Sequence, residues 1–262
     1  MATNAHRAAI NHLKKVDPKL ARVIDLVGPF RWQPRAEGTH FGALMRAIVY
    51  QQLSGKAAET IFGRFLGLYG GREPTPQEVL ATSDETLRGV GLSKQKSAYI
   101  RDLASQVAAD QLPLGSVEAL EDEALIEALT RVKGIGRWTA QMFLQFRLGR
   151  LDVFAELDLG LQKGLQHAYS LRAMPKPREA AKVAEQWAPY RSVAAWYLWR
   201  LLETDEARDA SRERRRATAK KQGARDPKRA TKRTTKRTTK RTMKRARSIA
   251  VKTARKKKTR AR

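Results

Sequence analysis

Three carboxylates crowd one short stretch, "LDVFAELDLGLQKGLQHAY", in which Asp152, Glu156 and Asp158 precede a run with helical spacing. Asp158 falls where a loop meets a new helix, and a carboxylate there is stabilised by the helix N-terminus. An acid in that place serves equally as a helix cap or as a fixed negative charge facing a substrate. Residue types alone leave the choice among the three open. Some twenty residues upstream, "VKGIGRWTAQMF" sets Gly134 and Gly136 around Ile135. Glycines so spaced suit a tight turn, where φ goes positive or another molecule's backbone comes close. A helix beginning just after the turn offers unsatisfied amides and a dipole that favour phosphate, and Arg137 adds a charge. The same pattern fits an ordinary corner between helices, so the glycines by themselves do not decide. The histidines have no ligand-like spacing, and the chain has no cysteine. That excludes disulfides, thiolate zinc sites and cysteine-ligated iron–sulfur clusters.

Helices must hold these groups in place, and the periodicity supplies them. In "FGALMRAIVYQQL", Phe41, Leu44, Met45, Ile48 and Val49 form one buried stripe. Ala58, Ile61, Phe62, Phe65 and Tyr69 repeat it until Gly70-Gly71. Thr75-Pro76 reads as an N-cap followed by a first-turn proline, and Ser83, Ser93, Ser116 and Asp122 as further caps. "DEALIEALTRVKGIGRWTAQMFLQFRL" reads as helix, hairpin and helix over about residues 122–147, with Leu125, Leu129, Val132, Ile135, Ala140, Phe143 and Leu144 to pack the pair. No strand alternation is evident. The reading is an all-α body of about ten short helices in two lobes with a cleft between them.

Charge divides the chain into two parts. The formal net charge is +27, yet Arg212 onward holds 25 Lys or Arg against two acids, leaving the preceding body near +4. The segment "ATKRTTKRTTKRTMKRARS" has too little apolar surface to offset the entropy of ordering, so a disordered tail is predicted at 206–262 after a folded domain at 1–205. It lacks the apolar face of a membrane-binding helix, and polyanionic nucleic acid is its expected partner through phosphate neutralisation. The opening residues have no apolar leader core, and no long apolar run occurs, so membrane association is not expected. A cytoplasmic monomer is expected, nucleoid-associated in a bacterium or nuclear in a eukaryote.

Four stretches, "IVYQQLSGKAA", "VKGIGRWTAQMFL", "DVFAELDLGLQKG" and "WAPYRSVAAWYLWR", resemble in order and spacing the helix-hairpin-helix (HhH-GPD) DNA glycosylase superfamily. Within it they are most similar to the 3-methyladenine DNA glycosylase II branch. The resemblance runs from about residue 15 to 203. It implies that Lys133, Gly134, Ile135, Gly136 and Arg137 grip the DNA backbone and that Asp158 is the catalytic carboxylate, with Asp152 and Glu156 structural. It also implies a base pocket of Trp138 and Trp199, with Met142 where the family carries a third aromatic, and a wedge at Gln52 or Leu53, of which Gln52 is favoured. A monovalent cation on the carbonyls of Thr130, Val132 and Ile135 is implied as well; no cofactor is required and no iron–sulfur cluster is expected. Relatives that cleave the strand carry a lysine nucleophile where this chain has Trp138, so the expected activity is confined to the N-glycosidic bond. The expected substrate is double-stranded DNA with alkylated purines, whose positive charge suits an aromatic pocket. A non-enzymatic DNA-binding or chromatin-like protein, and a glycosylase of different lesion range, are the alternatives. Some members also carry an N-terminal β-rich domain, whereas the helical pattern here begins almost at once.

Overall fold

The computed structural model describes residues 4–35, 37–204 and 209. Among them are twelve α-helices and no strand: α1 (Asn4–Val16), α2 (Pro18–Val27), α3 (His40–Tyr50), α4 (Gly55–Gly67), α5 (Pro76–Ala81), α6 (Asp84–Gly89), α7 (Lys94–Ala108), α8 (Asp122–Thr130), α9 (Arg137–Phe146), α10 (Leu159–Ala168), α11 (Pro177–Ala184) and α12 (Arg191–Leu201). Two short 3-10 helices, Leu114–Ala119 and Glu185–Trp187, complete the set. The all-α expectation holds. The predicted tail, apart from Asp209, lies outside the described residues.

Local sequence sets most helix starts. Thr75 and Glu78 form a reciprocal capping box ahead of α5, while Ser83 and Ser93 accept from Thr86 and Lys96 amides at the starts of α6 and α7. Two expected caps are corrected. Ser116 sits inside a 3-10 helix, because Leu114 and Val117, three residues apart, both turn into the core and tighten the chain around it. Asp122 is the first residue of α8, with Glu121 at the N-cap position, and its carboxylate faces Arg150 at 3.4 Å.

Two apolar cores account for the two lobes. The first, built by α3 to α9, buries Leu44, Ile48, Phe65, Ile100, Leu129 and Leu144. The second joins both ends of the described chain, packing Leu13, Leu20 and Ile24 against Leu161, Trp187, Tyr197 and Leu198. Each fully buried large side chain contributes about 1.5–3 kcal/mol of transfer free energy. Helix α9 serves both cores: Ala140, Phe143 and Leu144 belong to the first, while Met142 and Phe146 pack against the second.

A strap crosses between the lobes ahead of α3. Its Arg35 amide donates to the Phe146 carbonyl at 2.8 Å. Arg147 binds it at several points, donating to the carbonyls of Arg35 (2.7 Å), Glu37 (2.6 Å) and Gly38, and to His40 Nδ1 at 3.1 Å. His40 Nδ1 is therefore an acceptor, leaving Nε2–H to donate to Glu118 at 2.9 Å. In the second lobe Asp17, 3% exposed, accepts from the amides of Lys19 and Leu20, from Trp187 Nε1 at 2.8 Å and from the Tyr169 hydroxyl.

Candidate active site

The hairpin joins α8 to α9, and its two glycines do different work. Gly134 has φ +84°, and a Cβ there would stand 2.1 Å from Tyr99 Cδ2, so both backbone and neighbour require glycine. Gly136 is extended (φ −90°, ψ 170°) and is the N-cap of α9, which has no side-chain cap hydrogen bond. The first-turn amides of α9 thus have no capping side chain competing for them, the arrangement that suits an anion.

The hairpin's charged side chains already have partners. Arg137 Nη1 and Nη2 donate to Glu123 at 2.5 and 2.9 Å, and its Nε lies 3.5 Å from Glu156. The hydrogen bond from Arg137 holds the Glu123 carboxyl below the usual carboxylate range. Lys133 Nζ lies 3.2 Å from Asp102, and the Lys133 amide donates to the same carboxylate at 2.9 Å. Burial alone would raise the Asp102 carboxyl, but the bonds from Lys133 and Gln106 outweigh it and hold it low. Arg137 does bring a charge to the hairpin, and that charge is paired with two carboxylates. Glu123 and Glu156 offset that charge, which leaves the amides as the hairpin's anion-facing feature.

The three acids now separate. Asp152 forms a two-pronged pair with Arg191, at 2.8 Å to Nε and 2.9 Å to Nη2, tying the loop to the start of α12. Glu156 accepts from Gln141 at 3.1 Å and faces Arg137. Asp158 is the N-cap of α10: its Oδ1 accepts from the Leu161 amide at 2.8 Å and from Trp199 Nε1 at 3.0 Å, while Oδ2 accepts from Trp138 Nε1 at 2.8 Å. The cap and the aromatic cluster are thus the same group. Two indoles, one opening α9 and one late in α12, meet on a single carboxylate whose plane they fix. Trp138 is 42% exposed, and the flanking Leu157 and Leu159 are 51% and 60% exposed, so the carboxylate lies in an open apolar surround.

Met142 lies one turn beyond Trp138 and lines a cavity of ≈380 Å³ between α3 and α9, with Thr139, Phe146, Arg46 and Glu73 among its walls. Asp158 and Trp138 do not line that cavity. A second cavity, ≈590 Å³, has Trp199, Phe146, Trp32, Trp196 and Arg200 in its wall. Phe146, 5.5 Å from the Trp199 ring centre, is common to both. Trp187 is wholly buried and serves the core, while Trp196, partly buried, packs edge-on to Phe30 and Tyr197 between that core and the second cavity.

After α3 the chain turns at "QQLS". Gln52 adopts φ +56° at an exposed position, and Leu53 is 38% exposed, so neither is a core residue. Two side chains brace this turn: Gln51 donates to the Gly134 carbonyl at 2.8 Å, and Lys96 Nζ donates to the carbonyls of Val49 and Gln51 at 2.7 and 2.8 Å. Among the described residues no backbone amide donates to the carbonyls of Thr130 or Ile135, and that of Val132 accepts from the Ile135 amide at 3.0 Å. Neutral carbonyl oxygens of this kind are hard donors, a chemistry that fits an alkali cation.

Residues 45–189 match the family described as HhH-GPD superfamily base excision DNA repair protein. The chain belongs to this superfamily. The matched HhH-GPD region takes in the α3–α4 turn, the hairpin and Asp158, and stops short of Trp199 on α12. DNA-3-methyladenine glycosylase 1 of Schizosaccharomyces pombe is 37% identical over 203 residues, covering 76% of this chain and 89% of that protein. The alkylbase DNA glycosidase-like protein mag2 of the same yeast is 34% identical over 199 residues, covering 75% of this chain and 93% of that one. The solved structure of S. pombe Mag1 in complex with abasic DNA superposes with a TM-score of 0.69 at 36% identity, over 76% of this chain and 98% of that chain.

Sequence reasoning missed several residues of this HhH-GPD site. Nothing local marks Arg147, Asp102, Lys96 or Gln51 as supports of the strap, hairpin and turn. The indole N–H bonds to Asp158 have no local signal either, since Trp138 and Trp199 lie 20 and 41 positions from it.

Proposed function

We propose that this chain is a monofunctional DNA glycosylase that flips an alkylated purine such as 3-methyladenine out of duplex DNA and hydrolyses its N-glycosidic bond, leaving an abasic site. The carrying observation is the Asp158 carboxylate held by the indole N–H groups of Trp138 and Trp199. Membership of a base excision repair superfamily and likeness to named 3-methyladenine glycosylases support the reading.

A cationic N3- or N7-methylpurine is already a good leaving group, so the demand falls on the sugar. As the C1′–N bond breaks, its electron pair leaves with the purine and C1′ acquires oxocarbenium character. Asp158 would stabilise that charge, and water would add to C1′ with loss of a proton. The indoles would contribute both a stacking surface and the orientation of the carboxylate. The partners of Asp158 are two indoles and an amide, with no amine among them. Strand cleavage through a Schiff base therefore has no nucleophile at this point.

The uncapped α9 terminus would take a backbone phosphate, and Gln52 or Leu53, exposed at the turn, would enter the space left by the flipped base. A monovalent cation on the carbonyls of Thr130, Val132 and Ile135 would add positive charge beside that phosphate. The enzyme would act as a monomer, each of these groups coming from one chain. The test is release of methylated base from duplex DNA by the wild type and by Asp158→Asn, with circular dichroism confirming both folds. Release that drops by orders of magnitude in the variant, with no strand break before alkali, is the expected result. A folded wild type that binds the duplex and frees no base would refute the enzymatic reading.

A further inference from the structure

Helix α7 touches both DNA-facing elements, and from one face. Lys96 sends its ammonium to the carbonyls of Val49 (2.7 Å) and Gln51 (2.8 Å), closing the exposed end of α3 just before Gln52. One turn on, the Tyr99 ring stands against Gly134, steadied by Gln95 Nε2 on its hydroxyl at 2.6 Å. Asp102 receives the Lys133 amide at 2.9 Å, and Gln106 reaches the Arg131 carbonyl at 3.3 Å. Positions 96, 99, 102 and 106 follow the spacing of one helix face. The loop is also tied directly to the hairpin by Gln51 Nε2 on the Gly134 carbonyl at 2.8 Å. Loop, hairpin and α7 form a closed triangle of contacts.

We infer that Lys96 is a positioning residue for base flipping, fixing the Gln52–Leu53 tip at a set distance from the hairpin before DNA arrives. The inference rests on the glycosylase reading. A helix C-terminus leaves carbonyls without amide partners, and a cation there satisfies them and complements the dipole. Burial pushes the Lys96 ammonium below the ordinary lysine range, so the contact carries a desolvation cost that an incidental surface lysine would not bear. Gln52, held at φ +56°, stands immediately beyond the carbonyl that Lys96 grips. A tip that drifted relative to the hairpin would separate two events that must coincide, gripping the phosphate and filling the opened stack.

The experiment compares wild type, Lys96→Met and Gln51→Met on N7-methylguanine placed opposite cytosine or opposite an abasic residue, where little pairing remains to be broken. A 2-aminopurine beside the lesion reports unstacking, and thermal melting reports the fold. The expected result is a loss of about 10- to 100-fold in release from the paired duplex, a much smaller loss opposite the abasic residue, and a weakened 2-aminopurine signal. Equal losses on both duplexes, or none, would overturn the inference. Should Lys96→Met fail to fold, Gln51→Met decides by the same ratio. A wild type that binds both duplexes and releases base from neither removes the glycosylase reading, and this inference with it.

Discussion

Gly160 lies between Asp158 and Trp199, and filling it with one methyl group tests whether the carboxylate's placement matters. A Cβ at this position would lie 2.9 Å from Asp158 Oδ1 and 3.0 Å from both Cδ1 and Nε1 of Trp199. Ordinary contact requires ~3.5 Å, so carboxylate, indole or both must retreat by about 0.5 Å. That retreat strains the 3.0 Å bond between them. A hydrogen bond to a charged group is worth about 1.5–3 kcal/mol, which translates to roughly 10- to 100-fold in rate if it acts on the transition state. The backbone effect runs the other way, because alanine is favoured over glycine inside a helix by up to about 1 kcal/mol. The two effects partly cancel, so Gly160→Ala should stay folded with a modest fall in melting temperature, while single-turnover base release slows about 10- to 100-fold. Gly164→Ala is the matched control: its Cβ would meet the Leu198 carbonyl oxygen at 2.8 Å, backbone of α12 that cannot step aside, so stability should fall. If folded Gly160→Ala releases base within about twofold of wild type, the indole-held carboxylate is not what sets the rate.

Three further outcomes follow from other parts of the fold. Asp17→Ala strands the Trp187 indole and the Tyr169 hydroxyl in the second core and removes the α2 cap, and urea unfolding should show a loss of about 2–5 kcal/mol; a loss under about 1 kcal/mol would show that water replaces the carboxylate. Burial pushes the Tyr197 phenol up to about 12. Because its folded value is raised, its contribution to stability is full below the unfolded value of about 10 and is lost as pH rises from there through about 12, so alkaline melting curves of wild type and Tyr197→Phe should converge in that window. Deleting residues 212–262 removes 25 basic side chains, and the slope of log affinity against log salt should flatten by about 0.9 for every phosphate the tail neutralises; an unchanged slope would mean the tail makes no contact with DNA.

The fold was legible where single stretches of chain carried the signal. The stripe from Phe41 to Val49 is buried as its spacing requires, and Thr75-Pro76 opens α5 with a full capping box. Asp158 was visible as a helix cap, because an acid at the head of an amphipathic run has few other local meanings. Its hydrogen bonds to Trp138 and Trp199 span 20 and 41 positions, and no local pattern encodes them. Lys96 and Arg147 were illegible for the same reason: each bonds backbone carbonyls, to which any sequence can contribute. Ser116 misled because serine favours both caps and turns, and here the neighbouring Leu114 and Val117 decided between them.

The second core also bears on how the protein is made. Its walls come from α1 and α2 at one end and from α10 to α12 at the other, while the first core is complete by Val153. A chain emerging from the ribosome can therefore settle its first lobe while its opening helices still wait for partners more than a hundred residues away. Trp199, one of the two indoles on Asp158, arrives among the last residues of the lobe that waits. The site is thus assembled only when translation of the helical body is nearly finished, so a truncated polypeptide could carry the hairpin and engage DNA without a properly set carboxylate.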